Sequence, residues 1–269
     1  MSIRAETITK MTVGALMAAA LAVPAAADET LLCSRYIAAL PYRITAPGHY
    51  CLAGNLSTSA NPTFTSAITI DADSVVLDLN QFTLDGSAAG TGTGVQGILA
   101  ADHSFITVRN GVIRGFWVGI HLANPSGAAS GHTVENIWAD RNTRTGIETR
   151  GLRSVVRKNV VTDTGGSTNP SNTGGVAYAF GIDVGGPVSV IDNQVTRAFG
   201  INGAHAVGIM FADQGSIAIN NRVVDADVGF GCVSNSDTLP QAVLRDNVVL
   251  NAPEPYAPSC TKIGATNFH

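Results

Sequence analysis

Short apolar runs recur along this chain with nearly the same punctuation. VGIHL (Val118 to Leu122), TGIET (Thr145 to Thr149), FGIDV (Phe180 to Val184) and VGIMF (Val207 to Phe211) are the clearest copies; QGILA (Gln96 to Ala100) and VGFGC (Val228 to Cys232) are weaker ones. After a turn of variable length, each is followed by a β-branched run that ends in asparagine: FITVRN, HTVEN, SVVRKN, VSVIDN, SIAINN and AVLRDN. Alternation with a period of two predicts strands, and strand units repeating every few tens of residues predict a solenoid. Upstream, AITIDAD and SVVLDLNQFTLDG are two more alternating runs joined by a turn at Asp71 to Ser74, and read as the first full coil.

The repeats align on Asn80, Asn110, Asn136, Asn159, Asn193, Asn221 and Asn247, with gaps of 30, 26, 23, 34, 28 and 26 residues. One coil per gap gives about seven coils. An asparagine recurring at one sharp bend can satisfy backbone groups there and hydrogen-bond to its copies in the coils above and below. The flanking alternation matches less cleanly at Asn80 and Asn221, where a slip of one residue is expected.

Composition narrows the class. Glycine is abundant, with 29 residues, and only 13% of the chain is charged, which suits strands and tight turns better than helices. Residues 1–27 read as a secretory signal: Arg4 and Lys10 precede an apolar run from Met11 to about Val23, and Ala25 to Ala27 offer small residues for cleavage. Its removal leaves 14 basic and 19 acidic residues, a net charge of −5. No basic cluster with interleaved aromatics remains, so nucleic acid is excluded as a partner, and no later segment predicts a membrane span. The expected organisation is a signal at 1–27, an N-terminal cap with its first strand at 28–66, coils over 67–251 and a C-terminal cap at 252–269, in a periplasmic or secreted protein for which a monomer is favoured and the oligomeric state is not fixed by the sequence.

Four cysteines in an exported chain are expected to be oxidised. They form two couples close in sequence, one at each end, so Cys33–Cys51 and Cys232–Cys260 are the simplest pairing and would staple the exposed ends of a solenoid. The chain holds no C-x-x-C spacing and no neighbouring histidine motif that would argue for a metal site instead.

The wording PYRITAPGHYCL resembles the opening strand of many right-handed parallel β-helix proteins. With the Gly-Ile runs and the asparagine register, the chain resembles the pectin-lyase-like superfamily over nearly its whole mature length. The resemblance implies three strands per coil, Gly-Ile runs as the first of them, and the asparagine bend between the second and third. That architecture hosts lyases, hydrolases, epimerases and non-catalytic proteins, so it implies a fold and not a reaction. AFGIDV is similar to the Y-G-F-D-P-H segment of alginate epimerases and lyases at Asp183, but lacks its proline and histidine.

Alternation within the first strands selects the candidate site. With Ile120, Ile147, Ile182 and Ile209 in the core, the next residue faces outward, and His121, Glu148 and Asp183 then stack on three successive coils about 4.8 Å apart. Stacked carboxylates need a proton, a cation or a flanking base, so Glu148 and Asp183 are candidates for an acid, a base or a calcium site, and His121 for an acid or base. Arg144, on the same face, is the candidate partner for a substrate carboxylate. Trp117, Tyr178 and His205 are candidates for stacking on sugar rings. A row of glycines, Gly119, Gly146, Gly181, Gly208 and Gly229, is expected to form a bare floor that a ligand approaches closely. The loop from Thr162 to Ala179 is expected to overhang Glu148 and Asp183, with the turn Ala123 to Gly131 as the opposite wall. Two functions fit: an enzyme acting on a polysaccharide as lyase, epimerase or hydrolase, and a non-catalytic β-helix that binds glycan or a cell surface.

Overall fold

The computed structural model describes residues 33–171, 177–233 and 242–262; the expected signal segment lies outside them. The chain is a parallel β-helix. Nine strands stack in one sheet, Tyr42–Ile44, Ser66–Ile70, Gln96–Ala101, Val118–Ala123, Thr145–Arg150, Ala179–Gly185, Ala206–Phe211, Val228–Cys232 and Glu254–Tyr256, and every neighbouring pair is parallel. This first sheet is two strands longer than the seven expected coils, because short strands inside both expected caps, Tyr42–Ile44 and Glu254–Tyr256, add to its ends.

The remaining strands form the other two walls, which share hydrogen bonds where Thr107–Arg114 and Thr133–Asp140 run unbroken through the bend between them. Inside, Ile68, Ile98, Ile120, Ile147, Ile182, Ile209 and Phe230 lie in register and are fully buried. Each strand buries such a residue on its neighbour, at roughly 1.5–3 kcal/mol per side chain, and this continuous stack replaces the single core of a globular domain. Tyr256 stacks on Phe230 at 5.5 Å and closes the far end. Both expected disulfides are present, Cys33–Cys51 and Cys232–Cys260. Among the described residues no helix is long and apolar enough to cross a membrane.

The asparagines divide into two sets. Asn159, Asn193, Asn221 and Asn247 are buried at the bend between second and third strands. The Oδ1 of Asn193 accepts from both the backbone N and Nδ2 of Asn159, at 3.0 Å each, and the pattern repeats from Asn193 to Asn221 and from Asn221 to Asn247. Asn80, Asn110 and Asn136 are not part of this stack. Asn110 and Asn136 occupy the preceding, outward position at φ of 59 and 53°, equivalent to Lys158, Asp192, Asn220 and Asp246, while Gly111 and Ile137 take the inward place; Asn80, at φ 53°, lies in a wider bend where residues 79–82 stand opposite 110–111. The one-residue slip therefore affects Asn110 and Asn136 and not Asn221, whereas the bend at Asn80 holds two extra residues. Asparagine suits both places for different reasons: it tolerates the left-handed conformation outside, and its amide satisfies backbone groups inside.

Replacing Asn193 with leucine removes the acceptor for two donors of Asn159 and the donor to the Val156 carbonyl. The expected cost is about 1–3 kcal/mol, measured by chemical denaturation. His132 offers a second test. It is 1% exposed, neither ring nitrogen has a partner among the described residues, and burial pushes its pKa down from 6.5 to about 4. Between those values the unfolded chain binds the proton and the folded one does not, so stability falls as pH drops below 6.5 and levels off near 4. The expected loss is about 3 kcal/mol. His132→Leu should flatten that limb of the stability curve.

Candidate functional site

The first sheet brings the three ionisable residues together by register. His121 pairs with Glu148, and Glu148 with Asp183, on the adjacent strands Val118–Ala123, Thr145–Arg150 and Ala179–Gly185. Their side chains point away from the core, yet Glu148 and Asp183 are only 9% and 7% exposed. The expectation of solvent-facing positions fails in this respect, because Arg150, Arg144 and His121 lie against them.

The main cover is Arg150, a residue that sequence reasoning missed. Its Nη2 lies 2.6 Å from Asp183 Oδ2 and 3.3 Å from Glu148 Oε1. Arg150 is two residues beyond Glu148 and shares its face by alternation, so the signal was in TGIETR. Its register partner is Gly185, where a Cβ would meet Arg150 Nη1 at 2.7 Å and Asp213 Oδ2 at 2.8 Å. The missing side chain at Gly185 is what lets the guanidinium cross to Asp183. Arg150 thus stands where a calcium ion was expected to bridge the carboxylates. That pair does not fit calcium without displacing the guanidinium, so the charge balance is organic.

On the other side, His121 Nε2 is 3.5 Å from Glu148 Oε1, and His121 Nδ1 is 2.6 Å from the Gln96 side-chain amide. An amide offers an acceptor oxygen or, turned over, a donor NH₂, so the imidazole can carry its single proton on either nitrogen. Burial pushes the His121 pKa down against the pull of Glu148, and the ring is neutral at neutral pH. Asp183 moves the other way. Burial raises its carboxyl to about 6 against the opposing charge of Arg150, with Glu148 adding to the rise. Asp183 Oδ1 and Arg150 Nη1 are buried with no partner among the described residues. Arg144 approaches Glu148 Oε2 at 4.0 Å and lies over the Trp117 ring, 5.0 Å from its centroid.

Beside the row lies a groove of about 780 Å³, which Glu148, Asp183 and Arg144 do not line. His121 and Arg150 line it, with Asn124 and Pro125 on one side, and Leu152 and Asp213 farther along. The turn after His121 is therefore one wall; Asn124 closes it by accepting from the Ala129 backbone at 2.8 Å, and Asp102 holds Ser126 from the coil below. The expected opposite wall is elsewhere. The described part of the Thr162 to Ala179 loop reaches back to Thr91 and Thr93, through Thr168 and Asn169, and none of its described residues lines the groove. Residues 172–176 of that loop lie outside the described residues.

Trp117, Tyr178 and His205 sit at or before the leading ends of their strands, whereas the groove opens at the trailing ends. Tyr178 and His205 are exposed and Trp117 holds Arg144, so none of the three lines the groove.

The glycine row is not a floor either. A Cβ at Gly146 would meet Val161 Cγ1 and the Gly181 carbonyl, both at 2.6 Å; one at Gly181 would meet Val195 and the Gly208 carbonyl. These glycines pack against the inward valines of the third strands at the corner of the coil.

Fold and site together define a parallel β-helix with an outward imidazole, carboxylate, guanidinium and carboxylate aligned across three strands. No protein-family profile and no curated protein matches the chain. Among solved structures it is similar to the pectate lyase Pel9A, at 15% identity and TM-score 0.38, over 84% of this chain and 69% of that one. It is also similar to the A-module of the mannuronan C-5 epimerase AlgE6 of Azotobacter vinelandii, at 15% identity and TM-score 0.36, over 87% of this chain and 91% of that one.

Proposed function

We propose that this chain is an exported enzyme, periplasmic or secreted, that acts on an acidic polysaccharide by proton transfer next to a sugar carboxylate, as a lyase or epimerase. The observation that carries this reading is the Arg150 bridge between Glu148 and Asp183, with neutral His121 on the next strand. Each part answers a need of the reaction. A neutral imidazole can take the proton next to the carboxylate. Arg150 and Arg144 offer positive charge where the enolate develops, a role better filled by fixed guanidinium groups than by water. Asp183, protonated up to about pH 6, is the acid that returns a proton to the opposite face in an epimerase or to the leaving oxygen in a lyase.

A hydrolase is the second reading, since Glu148 and Asp183 face a common Arg150 nitrogen and the carboxyl with the raised pKa is the natural acid. The test is incubation of the chain with polyuronates and with neutral glycans. Unsaturated uronate ends or inverted C-5 centres support proton abstraction; saturated reducing ends alone support hydrolysis. Binding without any product supports a non-catalytic glycan-binding β-helix.

The pH profile follows from the same groups. Activity should rise with pH as His121 loses its proton below its ordinary 6.5, and fall again as Asp183 ionises near pH 6. The optimum is therefore expected on the acid side of neutrality, with apparent values that belong to the coupled cluster. A kcat/KM profile that is flat from pH 5 to 8 would remove both groups from proton transfer.

A further inference from the structure

The N-terminal disulfide lies in a different chemical setting from the C-terminal one. His49 and Cys51 are two residues apart on the strand Gly48–Leu52 and so share a face. His49 Nε2 is 3.6 Å from Cys51 Sγ, and Cys33 arrives from the segment that leads into the strand Arg35–Ile37, which pairs with Gly48–Leu52. One ligand atom from each of Cys33, His49 and Cys51 lies within 4.8 Å of the other two. On the other flank, Asp78 is the register partner of Cys51, and its Oδ2 is 4.0 Å from His49 Nε2. Arg109 donates to that same oxygen at 2.9 Å and fixes the carboxylate. Cys51 is fully buried and His49 is 8% exposed. The histidine neighbour that no motif announced is thus supplied by H-Y-C on one strand and by the folding of Cys33 across it. No comparable histidine or carboxylate cluster surrounds Cys232 and Cys260 among the described residues.

We propose that reduction of Cys33–Cys51 converts this staple into a zinc site, with Cys33 Sγ, Cys51 Sγ and His49 Nε2 as ligands and a fourth position facing Asp78. The donor set is that of a soft-ligand zinc centre, and the Cα–Cα distance of 5.7 Å lets two thiolates share one ion once their sulfur atoms separate. The chemistry balances with a dithiol as reductant. It gives two electrons and two protons to the S–S bond and becomes a disulfide itself; both thiol protons are released when zinc takes the thiolates. Metal and disulfide are then alternative closures of the same end of the solenoid. The metal form serves the chain before oxidation, when the first strand would otherwise be held to the stack only by its edge.

The test uses the full chain reduced with a phosphine, which leaves no competing thiol, and zinc or cobalt(II) alone as the probe. The expected result is one zinc per reduced chain and none per oxidised chain, with a tetrahedral cobalt spectrum that includes thiolate charge transfer. His49→Ala should weaken zinc binding at least about tenfold, whereas the double variant Cys232→Ser, Cys260→Ser should keep it. If reduction alone unfolds the chain, zinc should restore the cooperative melting transition. Absence of bound zinc, unchanged affinity in His49→Ala, loss of zinc in the Cys232, Cys260 variant, or a reduced chain that stays unfolded with zinc present would each overturn the proposal.

Discussion

Asp183→Asn and His121→Ala are expected to fold normally and to lose at least about 100-fold in turnover, the range seen when a positioned acid or base is removed. Asparagine keeps the shape of Asp183 and still accepts the Arg150 hydrogen bond, but has no proton to give. Its effect on stability has a definite sign. The folded pKa of Asp183 is raised from 3.8 to about 6, so ionisation opposes folding; the contribution is fully present below 3.8 and is lost as pH rises through about 6. Above that pH the wild-type chain keeps a charge in a buried position that Asp183→Asn removes. The variant should therefore be at least as stable as wild type at pH 8, and its advantage should shrink toward pH 4. Melting curves at the two pH values, beside turnover on a uronate polymer, separate the two properties. Equal turnover in wild type and both variants would reduce the cluster to an ion-pair network that holds three strands.

Much of this site was legible because a parallel sheet converts sequence spacing into position. The Gly-Ile repeat aligned strands whose outer members, His121 and Asp183, are 62 residues apart, and alternation named the outward residue on each. The cysteine couples were readable for a similar reason, since a solenoid keeps sequence neighbours close. Arg150 was not read because its role depends on an absence next door, the bare Gly185 that its side chain crosses. One wall of the groove, the turn after His121, was readable from the sequence; the other was assigned to the long loop, because loop length says nothing about direction. The described part of the long loop turns back to Thr91 and Thr93, away from the groove. The asparagine register failed at Asn110 and Asn136 because inward and outward bend positions are adjacent and asparagine suits both, and at Asn80 because the bend there holds two extra residues.

The glycine row was misread because strict alternation does not survive a corner, and this error leads to the second large effect. Counting alternate residues from Ile182 sets Gly181 facing out, yet its missing side chain faces the interior junction where the third strand meets the first. A Cβ there would press on Val195 and sit 2.6 Å from the carbonyl oxygen of Gly208. Val195 could change rotamer, but the carbonyl belongs to the next strand of the sheet and cannot withdraw without breaking the register that stacks Ile182 on Ile209. Overpacking of this kind costs typically about 1–3 kcal/mol and more when backbone must move. Gly181→Ala is expected at the upper end or beyond, with Gly146→Ala similar, since its Cβ would meet the Gly181 carbonyl at the same 2.6 Å. Gly127→Ala is a useful contrast: no atom lies within 4 Å of its Cβ, and its φ of 80° accounts for a cost of about 1 kcal/mol. Denaturant midpoints of the three variants decide the matter. If Gly181→Ala is no less stable than Gly127→Ala, the row faces solvent, and the ligand-accessible floor first expected from the sequence is restored.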